Sequence, residues 1–277
     1  MNKDKTSVDT QNKVAEATTQ KKASLSDDYF ADFNFTELKP DIKEMLKNGV
    51  HFGHQKARKH PKMDAYIFGI KNGVTIIDLE RTLEKLEKAQ QFIENIVLSG
   101  KRILFVGTKK QAKKLVSSAA KRAGMPYVVG RWLGGTFTNF RNIAGRTKFL
   151  RDGQEKMAKG EYDKYTKFEQ MKIAEELEKL EEKMGGIKNM HELPAAILAT
   201  GVLEDKNAVL EAKRKNIPII ALVDTNVDPS DIDYPIPANE DAVSSLRLIL
   251  SHLVKTVLDA QEKAKIIPKE ETIKNKK

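Results

Sequence analysis

Apolar positions along the chain change their period repeatedly, and each change marks an element. Residues 1–39 are polar and aperiodic apart from the aromatic patch Tyr29-Phe30-Ala31-Asp32-Phe33-Asn34-Phe35, which predicts a mostly disordered arm with one short adhesive segment. A short helix is expected after Pro40, a good first-turn residue, ending at Gly49 behind Asn48. Over 66–77, apolar β-prone runs flank Asn72-Gly73, a dipeptide that accepts the positive φ of a tight turn, so a hairpin is expected. Asp78 can then cap a long helix whose Leu79, Leu83, Leu86, Ile93 and Ile96 share one stripe, with Gly100 as its stop.

The run Arg102-Ile103-Leu104-Phe105-Val106 reads as a buried strand, and Gly107-Thr108 turns it into a helix that reaches roughly Ala123 and ends at Gly124. Further strands fit 126–129, 194–199 and 217–223, with helices between them and a last helix from about Asn239 to Lys265. This alternation specifies an α/β fold: a doubly wound parallel sheet with helices on both faces and crossovers of one hand. Residues 154–184 depart from it. They are charged throughout, with Phe168, Met171, Ile173, Leu177, Leu180 and Met184 as an apolar edge, and predict a projecting helical hairpin, or short coiled coil, from which Gly185-Gly186 returns the chain. The expected division is an arm at 1–39, a discontinuous α/β domain at 40–152 and 186–262, a coiled-coil insertion at 153–185, and a basic disordered tail at 263–277. No repeat of solenoid length interrupts it.

Composition narrows the chemistry. The chain has no cysteine, which excludes a disulfide framework, a zinc ribbon and a thiol nucleophile and fits a reducing compartment. No stretch approaches the roughly 20 apolar residues of a membrane span, and the first residues lack the apolar core of a secretory signal, so a cytoplasmic location without membrane contact is expected. The net charge of +10 favours a polyanionic partner. Its distribution is more informative. Residues 101–151 carry thirteen Lys and Arg and no acid, and the loop at 51–62 adds Lys56, Arg58, Lys59 and Lys62, again without an acid. Aromatic residues punctuate the longer run. Most are expected in the core, whereas Trp132, between Arg131 and a glycine-rich stretch, is a candidate for stacking on a base.

Enzyme readings find little support. Gly107-Thr108-Lys109-Lys110 lies between a strand and a helix but lacks the leading glycine and the Lys-Ser/Thr pair of a phosphate loop. GRWLGGT at 130–136 puts Trp132 and Leu133 where a dinucleotide loop needs close-approach glycines, so no cofactor and no small-molecule substrate are expected. His51, His54 and His60 are interleaved with Lys and Arg and have no carboxylate until Asp64, an arrangement that repels a cation, so no metal is expected. Asp224 and Asp228, behind an apolar strand, read as loop organisers rather than catalytic groups.

Several words in order resemble the universal small-subunit ribosomal protein family numbered two, in its bacterial form. They are GVHFGHQ at 49–55, HPKM at 60–63, IIDL at 76–79, LFVGTKKQA at 104–112, RWLGGTFTN at 131–139, GGIKNM at 185–190, VDTNVDP at 223–229 and YPIPANEDA at 234–242. The resemblance covers about residues 40–262. It departs at Ala199-Thr200-Gly201, where members commonly show an Asp, and at Ala238, where Gly is usual. It implies a flavodoxin-like sheet with a projecting coiled coil, bound on the solvent side of the small subunit between head and body. Contacts to small-subunit ribosomal RNA and to neighbouring ribosomal proteins are implied, with help in docking the large mRNA-binding protein numbered one, and no catalysis. Lys56, Arg58, Lys59, Lys62, Lys109, Lys110, Arg131, Asn139, Arg141 and Arg146 are expected to meet RNA, largely at phosphates, with Trp132 stacking.

Overall fold

The alternation is realised as a five-stranded parallel sheet in a computed structural model that describes residues 29, 30, 35 and 38–274, with side chains as far as 265. The expected disorder of the arm and the extreme end of the tail therefore fall outside the described residues. Helix α1 (Ile42–Lys47) is capped by Asp41, whose side chain accepts from the Lys43 amide, and it closes at Asn48. Strands β1 (Phe52–Gln55), β2 (Ile67–Lys71) and β3 (Val74–Ile77) form a small antiparallel sheet in the order β1-β3-β2. Asn72 and Gly73 both take positive φ (52° and 78°), as the hairpin requires. Asp78 caps α2 (Leu79–Leu98) by accepting from the Glu80 amide.

The main sheet follows: β4 (Ile103–Val106), α3 (Lys113–Ala123), β5 (Tyr127–Val128), α4 (Phe140–Ala158), α5 (Lys167–Met184), β6 (Ala196–Ala199), α6 (Lys206–Arg214), β7 (Ile219–Val223), β8 (Tyr234–Pro237) and α7 (Val243–Lys274). Spatial order is β5-β4-β6-β7-β8, all pairs parallel. Counting only these strands, the order is 2-1-3-4-5, that of flavodoxin-like sheets, with its switch point between β4 and β6. Strand periodicity divides the interior into two cores. Ile103, Phe105, Leu198, Ile220 and Leu222 face α2, α3 and α7, whereas Leu104, Val106, Ile197, Ile219 and Ala221 face Val209 and Ala212 of α6 together with Trp132, Phe137, Ile143 and Met184. Both faces are covered, which is why the strands read as unbroken apolar runs. From the aromatic patch, Phe30 is fully buried in the first core, and the Arg122 guanidinium lies 4.7 Å from the Phe35 ring.

Four elements differ from expectation, the first being β1, a strand at the start of the stretch read as a basic loop. β8 was not foreseen because its Pro235 and Pro237 argue against a strand, yet it is an edge strand, where missing N–H groups are tolerated. The first helix of the charged pair starts at Phe140, well before residue 153, so Arg141 and Arg146 ride on it. α7 continues to Lys274, through Pro268, whereas a disordered tail was expected from 263. α4 and α5 pack on one another where Leu177 fills the space over Gly153 and Gln154 donates to Glu181 at 2.8 Å.

His252 on α7 is 1% exposed, and neither ring nitrogen has a hydrogen-bond partner. Burial, aided by Lys255, pushes its pKa down to about 4 from 6.5. A histidine depressed in the folded state costs stability as pH falls from the unfolded value towards the folded one, and this group alone accounts for about 3 kcal/mol across that window. His252→Leu is expected to gain on the native chain progressively between pH 6.5 and 4 in urea midpoints. A gap that stays constant over that window rules the linkage out.

Candidate nucleic-acid interface

Parallel strands end on one edge, and the basic loops are brought there. The turn after β4 carries Lys109 and Lys110, and the segment after β5 carries Arg131 to Asn139. The loop after β1 arrives from another part of the chain and is stitched to the end of β7 by Thr225, which is fully buried. Thr225 Oγ1 accepts from the His54 amide at 2.8 Å, and its carbonyl accepts from the His60 amide at 2.8 Å. Gly53 is needed for this approach, since a Cβ there would sit 2.5 Å from the Thr225 methyl. Between these anchors Lys56 and Arg58 are exposed on a 3₁₀ turn; Lys59 pairs with Asp64, and Lys62 pairs with Asp228 at 2.8 Å. Lys62 and Ser230 hold the Asp228 carboxyl well below the usual carboxylate range. Asp228 also accepts from the Ser230 amide, and Asp224 accepts from the amides of Thr225 and Glu240, so both acids organise loops as expected.

The glycine-rich segment is shaped by one carboxylate. Glu211 of α6 is 8% exposed, and its Oε1 accepts from Trp132 Nε1 (3.1 Å) and the Gly135 amide (2.7 Å). Its Oε2 accepts from the amides of Phe137 (2.9 Å) and Thr138 (3.1 Å) and from Thr138 Oγ1 (3.2 Å). Burial pushes the Glu211 pKa up, but these donors outweigh it, and the net shift is downward. Trp132 is thereby fixed in the second core, 7% exposed and edge-on to Phe137 at 5.1 Å. The stacking role expected for it is withdrawn, because neither ring face nor N–H is available to a base.

Lys109 also leaves the RNA-facing set. Its ammonium lies 2.7 Å from Asp241, 3.0 Å from Glu240 and 3.7 Å from Glu204, and its side chain is 13% exposed. Burial works against its charge, but the carboxylates prevail and raise its pKa. Lys110, next in sequence, is exposed, as are Arg131, Asn139, Arg141 and Arg146; Lys56, Arg58, Lys110, Arg131, Arg141 and Arg146 carry no ion pair among the described residues.

The chain matches the family described as ribosomal protein S2 over residues 45–260. It belongs to the ribosomal protein S2 family. A relative in Dehalococcoides mccartyi, named small ribosomal subunit protein uS2, is 44% identical over 232 residues, covering 84% of this chain and 95% of the relative. One of the same name in Roseiflexus sp. is 45% identical over 222 residues, covering 80% and 85%.

Membership of the ribosomal protein S2 family makes the chain structural rather than enzymatic, and the switch point of the sheet agrees in physical terms. Where doubly wound enzymes bind a ligand, this protein places its own side chains. Thr108 donates through its amide (3.1 Å) and hydroxyl (2.7 Å) to Asp205, and Lys109 fills the neighbouring space among acids. Burial pushes Asp205 up to about 6 and Glu240 up to about 7. Glu211, Thr225 and Asp205, which shape the edge, were not singled out from the sequence. Each lies far along the chain from the loop it holds, and only the polar character of a buried helix or strand end could have signalled it.

Replacing Glu211 with Gln puts an NH₂ group against two or more N–H donors. Glu211→Gln is expected to cost at least about 1.5–3 kcal/mol at neutral pH, the worth of one hydrogen bond to a charged acceptor. Because the folded pKa is depressed below 4.5, the native advantage is full above that value and is lost as pH falls through the folded pKa. Chemical denaturation of both proteins at pH 7 and pH 3 checks this, and a gap no smaller at pH 3 contradicts it.

Proposed function

We propose that this chain is a structural constituent of the small ribosomal subunit, ribosome-bound in the cytoplasm, and that it holds small-subunit ribosomal RNA with exposed cations at the carboxyl edge of its sheet. One observation carries the reading: the acids on that edge are largely consumed by the fold, while Lys56, Arg58, Lys110, Arg131, Arg141 and Arg146 remain exposed and unpaired among the described residues. Lys59 and Lys62 join them by exchanging surface carboxylates for phosphates, and Asn139 adds a neutral donor beside them. With both basic loops anchored, recognition runs through backbone and shape rather than base edges. No described helix is long and apolar enough to cross a membrane.

The helical pair is assigned to protein contact. Beyond Arg151 it carries acids at Asp152, Glu155, Glu161, Asp163, Glu169, Glu175, Glu176, Glu178, Glu181 and Glu182, which repel phosphate. It projects from the sheet domain as a coiled coil and, with neighbouring small-subunit proteins, helps to dock the large mRNA-binding protein numbered one.

Sedimentation of the tagged protein from cell extract through sucrose gradients tests the first part. Migration with small subunits at moderate salt and release at high salt is expected, and a free peak at both salts overturns it. With purified small-subunit RNA, about six phosphate contacts give a slope of roughly −4 to −5 in log affinity against log salt. Alanine at Arg131, Arg141 and Arg146 together is expected to flatten that slope by about 2–3. Replacing residues 157–175 by a short Gly-Ser turn is expected to leave RNA affinity within about twofold, well under the tenfold that 1.4 kcal/mol represents. An RNA affinity that falls with the loss of the helical pair contradicts the division of labour.

A further inference from the structure

We propose that residues 29–38 are an intramolecular ligand: they occupy a peptide seat on α3 and α7, and they leave and rebind as a unit while the α/β domain stays folded. The described residues of this segment add no strand to either sheet and no helix. Side-chain anchors hold them instead. Phe30, 0% exposed, enters the first core, and Phe35 lies against the same core with its ring centroid 6.3 Å from that of Phe30. The Arg122 guanidinium, in the last turn of α3, stands 4.7 Å from the Phe35 ring and donates to the Phe30 carbonyl at 3.4 Å. Lys255 of α7 donates to the carbonyl of Leu38, itself buried, at 2.8 Å. Rings set into a groove, with two main-chain carbonyls held by cations, are the anchors of a bound peptide.

Charge favours the same pairing. Residues 28–38 carry Asp28, Asp32 and Glu37 and no Lys or Arg, whereas the two helices present Arg122 and Lys255. The helices are also joined without the segment. Gln261 of α7 donates to the Ala123 carbonyl at 2.9 Å, and Ala120 and Ala123 share a core with Leu253, Val257 and Ala260, so the seat persists when its occupant leaves. Lys39, Pro40 and Asp41 alone separate Leu38 from Ile42 at the start of α1, which keeps a released segment beside its seat. A short tether supplies an effective concentration in the millimolar range, so a free peptide that binds with a Kd of about 10–100 µM corresponds to a seat filled roughly 10–100:1 in the intact chain. α3 runs back from the carboxyl edge to Arg122, which puts the seat at the opposite end of the domain from the basic loops. Opening therefore leaves the RNA-facing cations in place.

Hydrogen exchange of the native chain is the first test. Amides of residues 30–38 should be protected about 10–100-fold and released together, far more readily than those of β4 and β6. No protection overturns the proposal because the seat is then empty, and protection equal to that of the two strands overturns it because the segment then opens only with the core. The second test is fluorescence anisotropy with a labelled synthetic peptide of residues 28–39. It should bind once per chain to the full-length double variant Phe30→Ala, Phe35→Ala with a Kd of about 10–100 µM, and at least about tenfold more weakly to the native chain, whose seat is filled. Adding Arg122→Ala to the double variant should weaken the peptide by about fivefold, the worth of one cation–π contact. A folded double variant that binds the peptide no better than the native chain contradicts the proposal; if that variant fails to fold, the exchange pattern of the native chain decides.

Discussion

Parallel strands impose the constraint on which the rest of this structure depends. Each strand of such a sheet is covered on both faces and ends on the same edge as its neighbours, so every crossover delivers its loop to that edge. The edge then inherits a difficulty, since strand ends and tight turns leave backbone amides short of partners where water is scarce. Buried carboxylates resolve it. Glu211 gathers the glycine-rich segment, Asp205 accepts from Thr108, and Asp224 accepts from Thr225 and Glu240. A basic protein therefore needs these acids in its interior, and their number does not measure how acidic its surface is.

The same constraint sorts the cations. Lys109 and Lys110 are adjacent, yet one lies among Glu204, Glu240 and Asp241 and the other is exposed. A lysine held by three carboxylates is part of the edge, because removing it would leave buried negative charge uncompensated, a more costly state than a missing surface pair. Net charge and acid-free runs count both lysines alike. Only burial distinguishes a cation that holds the loop from one that the loop presents.

Most of the architecture could be read along the chain because its signals are local. Asn72-Gly73, the Asp78 cap, the stripe of α2, the apolar runs of β4, β6 and β7, and the stop at Gly124 each depend on neighbours within a turn or a strand. The misreadings share the opposite property. β8 is a strand despite two prolines because it lies at an edge, and Trp132 is core because Glu211, 79 residues away, claims its N–H. The loop after β1 owes its position to Thr225, 171 residues from His54. The exposed members of the candidate interface were legible as an acid-free run; their separation from structural look-alikes was not, since it depends on contacts that no local window contains.

Anchoring also bears on how such an edge can bind a large polyanion. A mobile loop would lose backbone freedom on binding, at roughly 1–2 kcal/mol per residue fixed, and that cost would consume much of what phosphate contacts supply. Here the ordering is already complete: Thr225 fixes both ends of the loop after β1, and Glu211 fixes the segment after β5. Only the long side chains of Lys and Arg remain to be ordered. They adapt to phosphate positions without moving the backbone, which favours recognition of a folded RNA by shape over reading of base edges by a flexible loop.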